Sequence, residues 1–178
     1  LLGLDYVYLC FDVNEETLPA AVAGLKTCGI RGFNLTMPNK NKIVELLDEL
    51  SPEAQLIGAV NTVLNDNGKL IGYNTDGYGF MQSVRDAGHD ITGKNITVMG
   101  VGGASMAICA QSALDGAASV HIFARRTSRY WNRTQKFAEN LSAKTGCQVC
   151  LFDNDDHTAL RDSIAQSYLL INATSVGM

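Results

Sequence analysis

Apolar positions in this chain come in short runs, separated by amphipathic stretches and by turns marked with Gly, Asn and Pro. The run Tyr6-Val7-Tyr8-Leu9-Cys10-Phe11 is rich in aromatic and other strand-favouring side chains and predicts a first strand. Over residues 18–27, Ala21, Val22 and Leu25 mark one face of a helix, and Gly29 marks its stop. Residues 32–36 predict a strand ended by Pro38, and residues 43–47 with Leu50 an amphipathic helix. Ser51-Pro52-Glu53 is a helix start: a capping hydroxyl, a proline whose missing N–H costs nothing there, and an acid in the first turn. Two apolar runs, 59–64 and 69–73, flank Asn65-Asp66-Asn67-Gly68, which is a hairpin signal. The sheet of this half is therefore expected to be mixed. A helix opens at Thr75-Asp76-Gly77 and closes at Gly88.

After Gly93 the pattern becomes regular. Strands are expected at 95–99, 119–123, 149–152 and 168–172, with helices at 104–114, 133–143 and 160–166 between them. Strand, helix, strand, repeated with short connections, predicts a doubly wound parallel sheet. The fold class expected is α/β, with a boundary near residues 89–93. Residues 1–89 form an N-terminal α/β domain with a mixed sheet, and residues 90–178 a second domain with a parallel sheet.

Charge and composition narrow the partners. The 14 Lys plus Arg against 18 Asp plus Glu leave a net charge of −4, so no general attraction for nucleic acid is expected. No apolar run is long enough to span a bilayer, and neither a membrane nor a signal peptide is expected. The chain starts without Met and ends on Met178 directly after Gly177, and it reads as an internal portion of a longer protein. Five scattered cysteines suggest reduced thiols in a cytoplasmic protein. In Cys147-x-x-Cys150, strand geometry places the thiols on opposite faces, which favours packing over redox chemistry. His89, His121 and His157 show no ligand spacing and read as surface or capping residues, so no metal is expected.

Between the first strand and helix of the second half lies Met99-Gly100-Val101-Gly102-Gly103-Ala104-Ser105. Gly100, Gly102 and Gly103 allow a sharp turn and close backbone approach to a pyrophosphate, and the helix opening at Ala104 offers free N–H groups. The third position of the G-x-G-x-x-G pattern is Ser105, which is still small. This context makes the second domain Rossmann-like. The next strand ends in Phe123-Ala124-Arg125-Arg126-Thr127-Ser128, where an NAD-binding domain would place an acid. Arg125, Arg126 and Thr127 instead suit a 2′-phosphate, so the cofactor reading is NADP, with NAD as the alternative. Trp131 is expected to pack under this loop. The segment Asn172-Ala173-Thr174-Ser175-Val176-Gly177-Met178 follows the last strand and would face the same crevice, with Thr174 against the nicotinamide.

Three polar motifs interrupt the first half: Asn34-Leu35-Thr36-Met37-Pro38-Asn39-Lys40, Gly58-Ala59-Val60-Asn61-Thr62 and Gly72-Tyr73-Asn74-Thr75-Asp76-Gly77. Short hydrogen-bonding groups with one Lys and one Asp suit a small polyhydroxylated ligand, because each buried ligand hydroxyl needs a partner. These motifs, in this order and followed by the glycine turn and Asn172-Ala173-Thr174-Ser175, resemble the shikimate dehydrogenase family over nearly the whole chain. Met37-Pro38-Asn39-Lys40 is similar to the subgroup that also oxidises quinate. The resemblance implies reversible NADP-dependent reduction of 3-dehydroshikimate to shikimate, by a monomer or homodimer. It further implies that Lys40 and Asp76 are the catalytic pair and that Thr36 and Asn61 hold substrate hydroxyls. A carboxylate-binding serine motif would precede Leu1 and a Gln-containing helix would follow Met178. Quinate/shikimate oxidation with NAD and a dinucleotide-sensing module without catalysis are the alternatives, and the joint presence of Lys40 and Asp76 argues against the second. On the residues alone, Lys40 is equally an exposed lysine at a helix start, Asp76 a helix cap, and Lys42 a nearby decoy.

Overall fold

The computed structural model describes residue 3, residues 5–174 and residue 176. It contains two four-stranded sheets. The first is built from β1 (Gly32–Asn34), β2 (Glu49–Leu50), β3 (Thr62–Asp66) and β4 (Lys69–Tyr73), in the order β1-β3-β4-β2. β3 runs antiparallel to β1 and β4, and β2 runs parallel to β4, so the sheet is mixed as expected. The hairpin turns at Asn67 and Gly68, with φ of 53° and 92°. Two left-handed residues make the turn that follows the twist of its strands. Asn65 locks it, accepting from the Gly68 N–H at 2.8 Å and donating to the Ile30 carbonyl at 3.0 Å.

Helix α1 (Leu18–Thr27) packs on this sheet with α2 (Asn39–Lys42), the 3-10 turn Ile43–Leu46 that continues it, and α3 (Pro52–Ile57). Ser51 caps α3 as its sequence predicts, accepting from the Ala54 N–H at 3.2 Å. A small core of Leu18, Val22, Ile43, Ala54, Val60, Val63 and Leu70 lies between them.

The second sheet consists of β5 (Asn95–Met99), β6 (Ser119–Ala124), β7 (Gln148–Asp153) and β8 (Leu169–Asn172). All pairs are parallel and the order is β7-β6-β5-β8. Helices α5 (Gly103–Leu114), α6 (Trp131–Thr145) and α7 (His157–Gln166) make the crossovers, which gives the Rossmann-like arrangement. The strand order reverses between β5 and β8, so their carboxyl ends share the crevice where such sheets bind ligands.

Helix α4 (Asp76–Asp86) joins the two halves. Its Met81 and Val84 enter the larger core with Ile57 and Ala59 from the first half and Ile96, Val98, Ile108 and Val120 from the second. A Cβ on Gly77 would lie 2.2 Å from the Ala107 carbonyl oxygen, so α4 crosses α5 at backbone contact. Arg85 Nη1 donates to Asp115 Oδ2 at 2.7 Å near the other end of the crossing.

Some expectations change. Residues 6–11 form no strand: Tyr6, Val7, Tyr8, Leu9 and Phe11 are all exposed and join neither sheet. Strand-favouring residues become a strand only when a ladder partner is present. The apolar stretch 43–47 is a single 3-10 turn, and Leu50 lies on β2 rather than on that helix. His121 lies half-buried on β6, where its Nδ1 is 3.0 Å from Ser163 Oγ, and burial pulls its pKa below the ordinary value. Trp131 is buried, as expected.

Candidate functional site

The first cluster forms where three loop segments meet at the ends of the first sheet. Lys40 sits on α2, directly after the turn in which the Thr36 carbonyl accepts from the Asn39 N–H. Asn61 immediately precedes β3, and Asp76 opens α4. Backbone bonds draw these segments together: Val60 N donates to Lys40 O at 2.8 Å, Leu35 N to Asn61 O at 2.8 Å and Asn61 N to Tyr73 O at 3.0 Å.

Lys40 Nζ donates to Asp76 Oδ2 at 2.7 Å, and Asn61 Nδ2 donates to Asp76 Oδ1 at 2.7 Å. Both carboxylate oxygens are thus committed to a charged or amide donor. The pair is neither sealed nor free, with side-chain exposures of 23% for Lys40 and 36% for Asp76. A partly open ammonium held by a carboxylate can exchange a proton with a ligand hydroxyl or carbonyl placed beside it. Lys42 pairs with Glu45 on an exposed face and takes no part.

Asp76 is not a helix cap. It is the first residue of α4, the cap position belongs to Thr75, and no side chain caps that end. An acid in the first turn is favourable to the helix dipole. Here its oxygens also serve Lys40 and Asn61. Asn74 supports it from behind, accepting from the Asp76 N–H at 3.2 Å and donating to the Ala59 carbonyl at 3.1 Å. Thr36 is exposed beside this cluster and makes no side-chain bond among the described residues. It lines an apolar groove of about 610 Å³ bounded by residues 7–14, α1 and β1. The structure therefore brings Lys40, Asn61 and Asp76 into direct contact and leaves Thr36 one step apart. Thr62, Thr75 and Asn34, to which the sequence reading gave no role, all bond to Asn61. The signal for them was present, since each lies inside one of the three polar motifs.

The second cluster is the glycine turn after β5. Gly100 has φ of 110°, and its N–H donates to Phe123 O at 2.8 Å. A Cβ there would lie 2.8 Å from the Ala173 carbonyl oxygen, so this glycine lets the loop after β8 close against the turn. Gly102, Gly103 and Ala104 are exposed, and a Cβ on Gly102 or Gly103 would meet nothing within 4 Å. Open space in front of an exposed helix N-terminus fits a pyrophosphate cradle. Ser105, at the departure from the usual pattern, is buried and donates to the Gly100 carbonyl at 2.6 Å. Its hydroxyl thus stiffens the turn as well as being small.

At the end of β6, Arg125, Arg126 and Thr127 are exposed. The Arg126 guanidinium stacks over Trp131, 5.0 Å from the ring centre, while the Arg125 guanidinium makes no hydrogen bond or ion pair among the described residues. In the loop after β8, Asn172 Oδ1 accepts from the Thr174 N–H at 3.1 Å and its hydroxyl at 2.7 Å. Ser175, Gly177 and Met178 lie outside the described residues. Cys147 and Cys109 are buried, and burial pushes their thiols up to about 11 and about 12. Thiols held protonated this way are poor nucleophiles.

Comparison with known proteins places this geometry. The family model for the shikimate dehydrogenase substrate binding domain matches residues 1–63. The NADP(+) shikimate dehydrogenase of Listeria innocua is 51% identical over 177 residues, covering 99% of this chain and 60% of the relative. Among solved structures, shikimate 5-dehydrogenase of Listeria monocytogenes in complex with shikimate and NAD superposes with a TM-score of 0.96 at 50% identity. That match covers 99% of this chain and 61% of the other. The ligand-free 5-ketofructose reductase of a Gluconobacter strain follows at 0.85 and 35% identity, with coverage of 99% and 61%. The chain thus spans about 60% of the length of the curated relatives it matches.

Proposed function

We propose that this chain belongs to the shikimate dehydrogenase family, to whose members it is similar over 99% of its length, and that the protein catalyses the reversible NADP(H)-dependent reduction of 3-dehydroshikimate to shikimate. The observation that carries the reading is the contact of Lys40 Nζ with Asp76 Oδ2 at 2.7 Å, with Asn61 on the other carboxylate oxygen. Residues 1–89 would supply the substrate side and residues 90–178 the dinucleotide side. The protein would work in the cytoplasm, as a monomer or homodimer. No helix among the described residues is long and apolar enough to cross a membrane.

The glycine turn at Gly100, Gly102, Gly103 and Ala104 would hold the pyrophosphate, Arg125, Arg126 and Thr127 the 2′-phosphate, and Thr174 the nicotinamide end. When bound, the nicotinamide supplies or accepts the hydride. In the reducing direction the Lys40 ammonium donates a proton to the ketone oxygen as the carbon is reduced. In the oxidising direction Lys40 takes the hydroxyl proton. Asp76 holds the Lys40 nitrogen in place and balances its charge through both directions. Thr36 and Asn61 orient the ring hydroxyls, so that the reacting carbon is presented in one pose.

The test is a set of initial rates with shikimate and quinate, each with NADP and NAD, on wild type and Lys40→Ala. Activity with shikimate and NADP that falls by orders of magnitude in Lys40→Ala, with cofactor binding retained, supports the reading. Near-normal turnover in the mutant would end it. Quinate/shikimate oxidation with NAD is the second reading; the relative at 50% identity, in complex with shikimate and NAD, supports its cofactor, and comparable quinate activity with NAD would favour it.

A further inference from the structure

We propose that Thr62 is a positioning residue, whose hydroxyl fixes the Asn61 amide and through it the orientation of Asp76. The inference rests on the catalytic reading of Lys40 and Asp76 and deepens it.

Backbone groups decide the proton directions, because a carbonyl only accepts and an N–H only donates. Asn34 Nδ2 is 3.4 Å from the Asn61 main-chain carbonyl, so this end of the Asn34 side chain carries the protons. The same nitrogen donates to Thr62 Oγ1 at 3.0 Å. Thr62 therefore receives a proton from Asn34 and has its own to give. Its neighbour on the other side is Asn61 Oδ1 at 3.0 Å. That Asn61 atom is the oxygen, because it also accepts from the Thr75 backbone N–H at 3.0 Å. Asn61 must then turn its amide nitrogen toward Asp76 Oδ1, at 2.7 Å. A directed chain runs from Asn34 through Thr62 and Asn61 and ends on the Asp76 carboxylate, whose other oxygen accepts from the Lys40 ammonium.

Each link polarises the next, so the Thr62 proton on Asn61 Oδ1 strengthens the Asn61 N–H bond to Asp76. Thr62 is half-buried on β3 and bonds to neither Lys40 nor Asp76, so its effect passes through Asn61. Pairing of β1 with β3 puts Asn34 opposite Thr62, which makes the relay a product of sheet register.

Thr62→Val keeps the branched shape and the strand preference but removes the proton. The expected result is a kcat lower by about tenfold, the scale of one net hydrogen bond, with the dinucleotide KM and the melting temperature unchanged. Thr62→Ser should restore kcat to within about twofold of wild type, since the hydroxyl returns. In an Asn61→Ala background, Thr62→Val should have no further effect on kcat. Wild-type kcat in Thr62→Val would overturn the proposal, as would a Thr62→Ser as slow as Thr62→Val, which would assign the effect to packing. If Thr62→Val fails to fold, the Ser and Ala variants carry the same comparison. Lys40→Ala is the control: if it stays active, the catalytic reading fails, and if it is inactive while Thr62→Val is normal, only the role of Thr62 fails.

Discussion

Gly77→Ala tests whether the crossing of α4 over α5 sets both stability and the position of Asp76. The added Cβ would lie 2.2 Å from the Ala107 carbonyl oxygen, 2.8 Å from its carbon and 3.0 Å from Gln111 Cβ. The nearest atoms are backbone, and no flexible side-chain end can swing away. Regaining ordinary contact requires the helices to part by roughly 1 Å. Met81 and Val84 are carried on α4 into the larger core, so that movement disturbs packing. Overpacking of this kind costs about 1–3 kcal/mol, and a backbone clash belongs at the upper end. Alanine recovers up to about 1 kcal/mol of helix propensity. The balance is a loss of about 2 kcal/mol, or a melting temperature lower by roughly 4–8 °C for a domain pair of this size. Asp76 is the adjacent residue, and a misplacement of about 1 Å can cost on the order of 100-fold in turnover. Thermal unfolding and kcat on the same preparation read both effects. Gly79→Ala is the control on the same helix, because a Cβ there meets nothing within 4 Å. It should leave the melting temperature unchanged or raise it. A Gly77→Ala protein as stable as Gly79→Ala would refute the argument.

Two further outcomes concern the loop after β6 and the buried face of that strand. The Arg125 guanidinium has no partner among the described residues, whereas that of Arg126 rests on Trp131, so Arg125→Ala should raise the KM for NADP by roughly 10- to 100-fold and leave that for NAD nearly unchanged; equal losses, measured by initial rates, would refute a 2′-phosphate contact. Burial lowers the pKa of His121 in the folded state, so the unfolded chain takes up the proton first as pH falls. Stability should therefore drop as pH falls through the ordinary histidine range and level off below the folded pKa. His121→Gln should flatten that part of the profile in urea unfolding between about pH 7 and 5; a profile that keeps its full slope would show that His121 is not the group responsible.

Local chemistry makes part of this protein readable from its sequence. The Ser51 cap, the Asn67-Gly68 hairpin turn, the four strands and three intervening helices of the second half and the glycine turn at 100–103 each depend on residues within a few positions of one another. Steric and hydrogen-bonding preferences act at that range whatever the rest of the chain does. The candidate site residues Lys40, Asn61 and Asp76 were singled out for a different reason: they stand in motifs whose order resembles a family. What those residues do to one another was not readable. Lys40 and Asp76 are 36 positions apart, and Asn61 and Asp76 are 15 apart. Only the folded backbone decides that Asp76 serves Lys40 and Asn61 rather than capping its helix. The same holds for residues 6–11, whose β-forming composition finds no ladder partner, and for Leu50, which becomes a strand because β4 lies beside it. Thr62 owes its place to the pairing of β1 with β3, and Gly77 its necessity to a helix crossing. Composition and spacing constrain what each segment can form alone, whereas partner choice across the chain depends on burial and register, which exist only once the segments have packed.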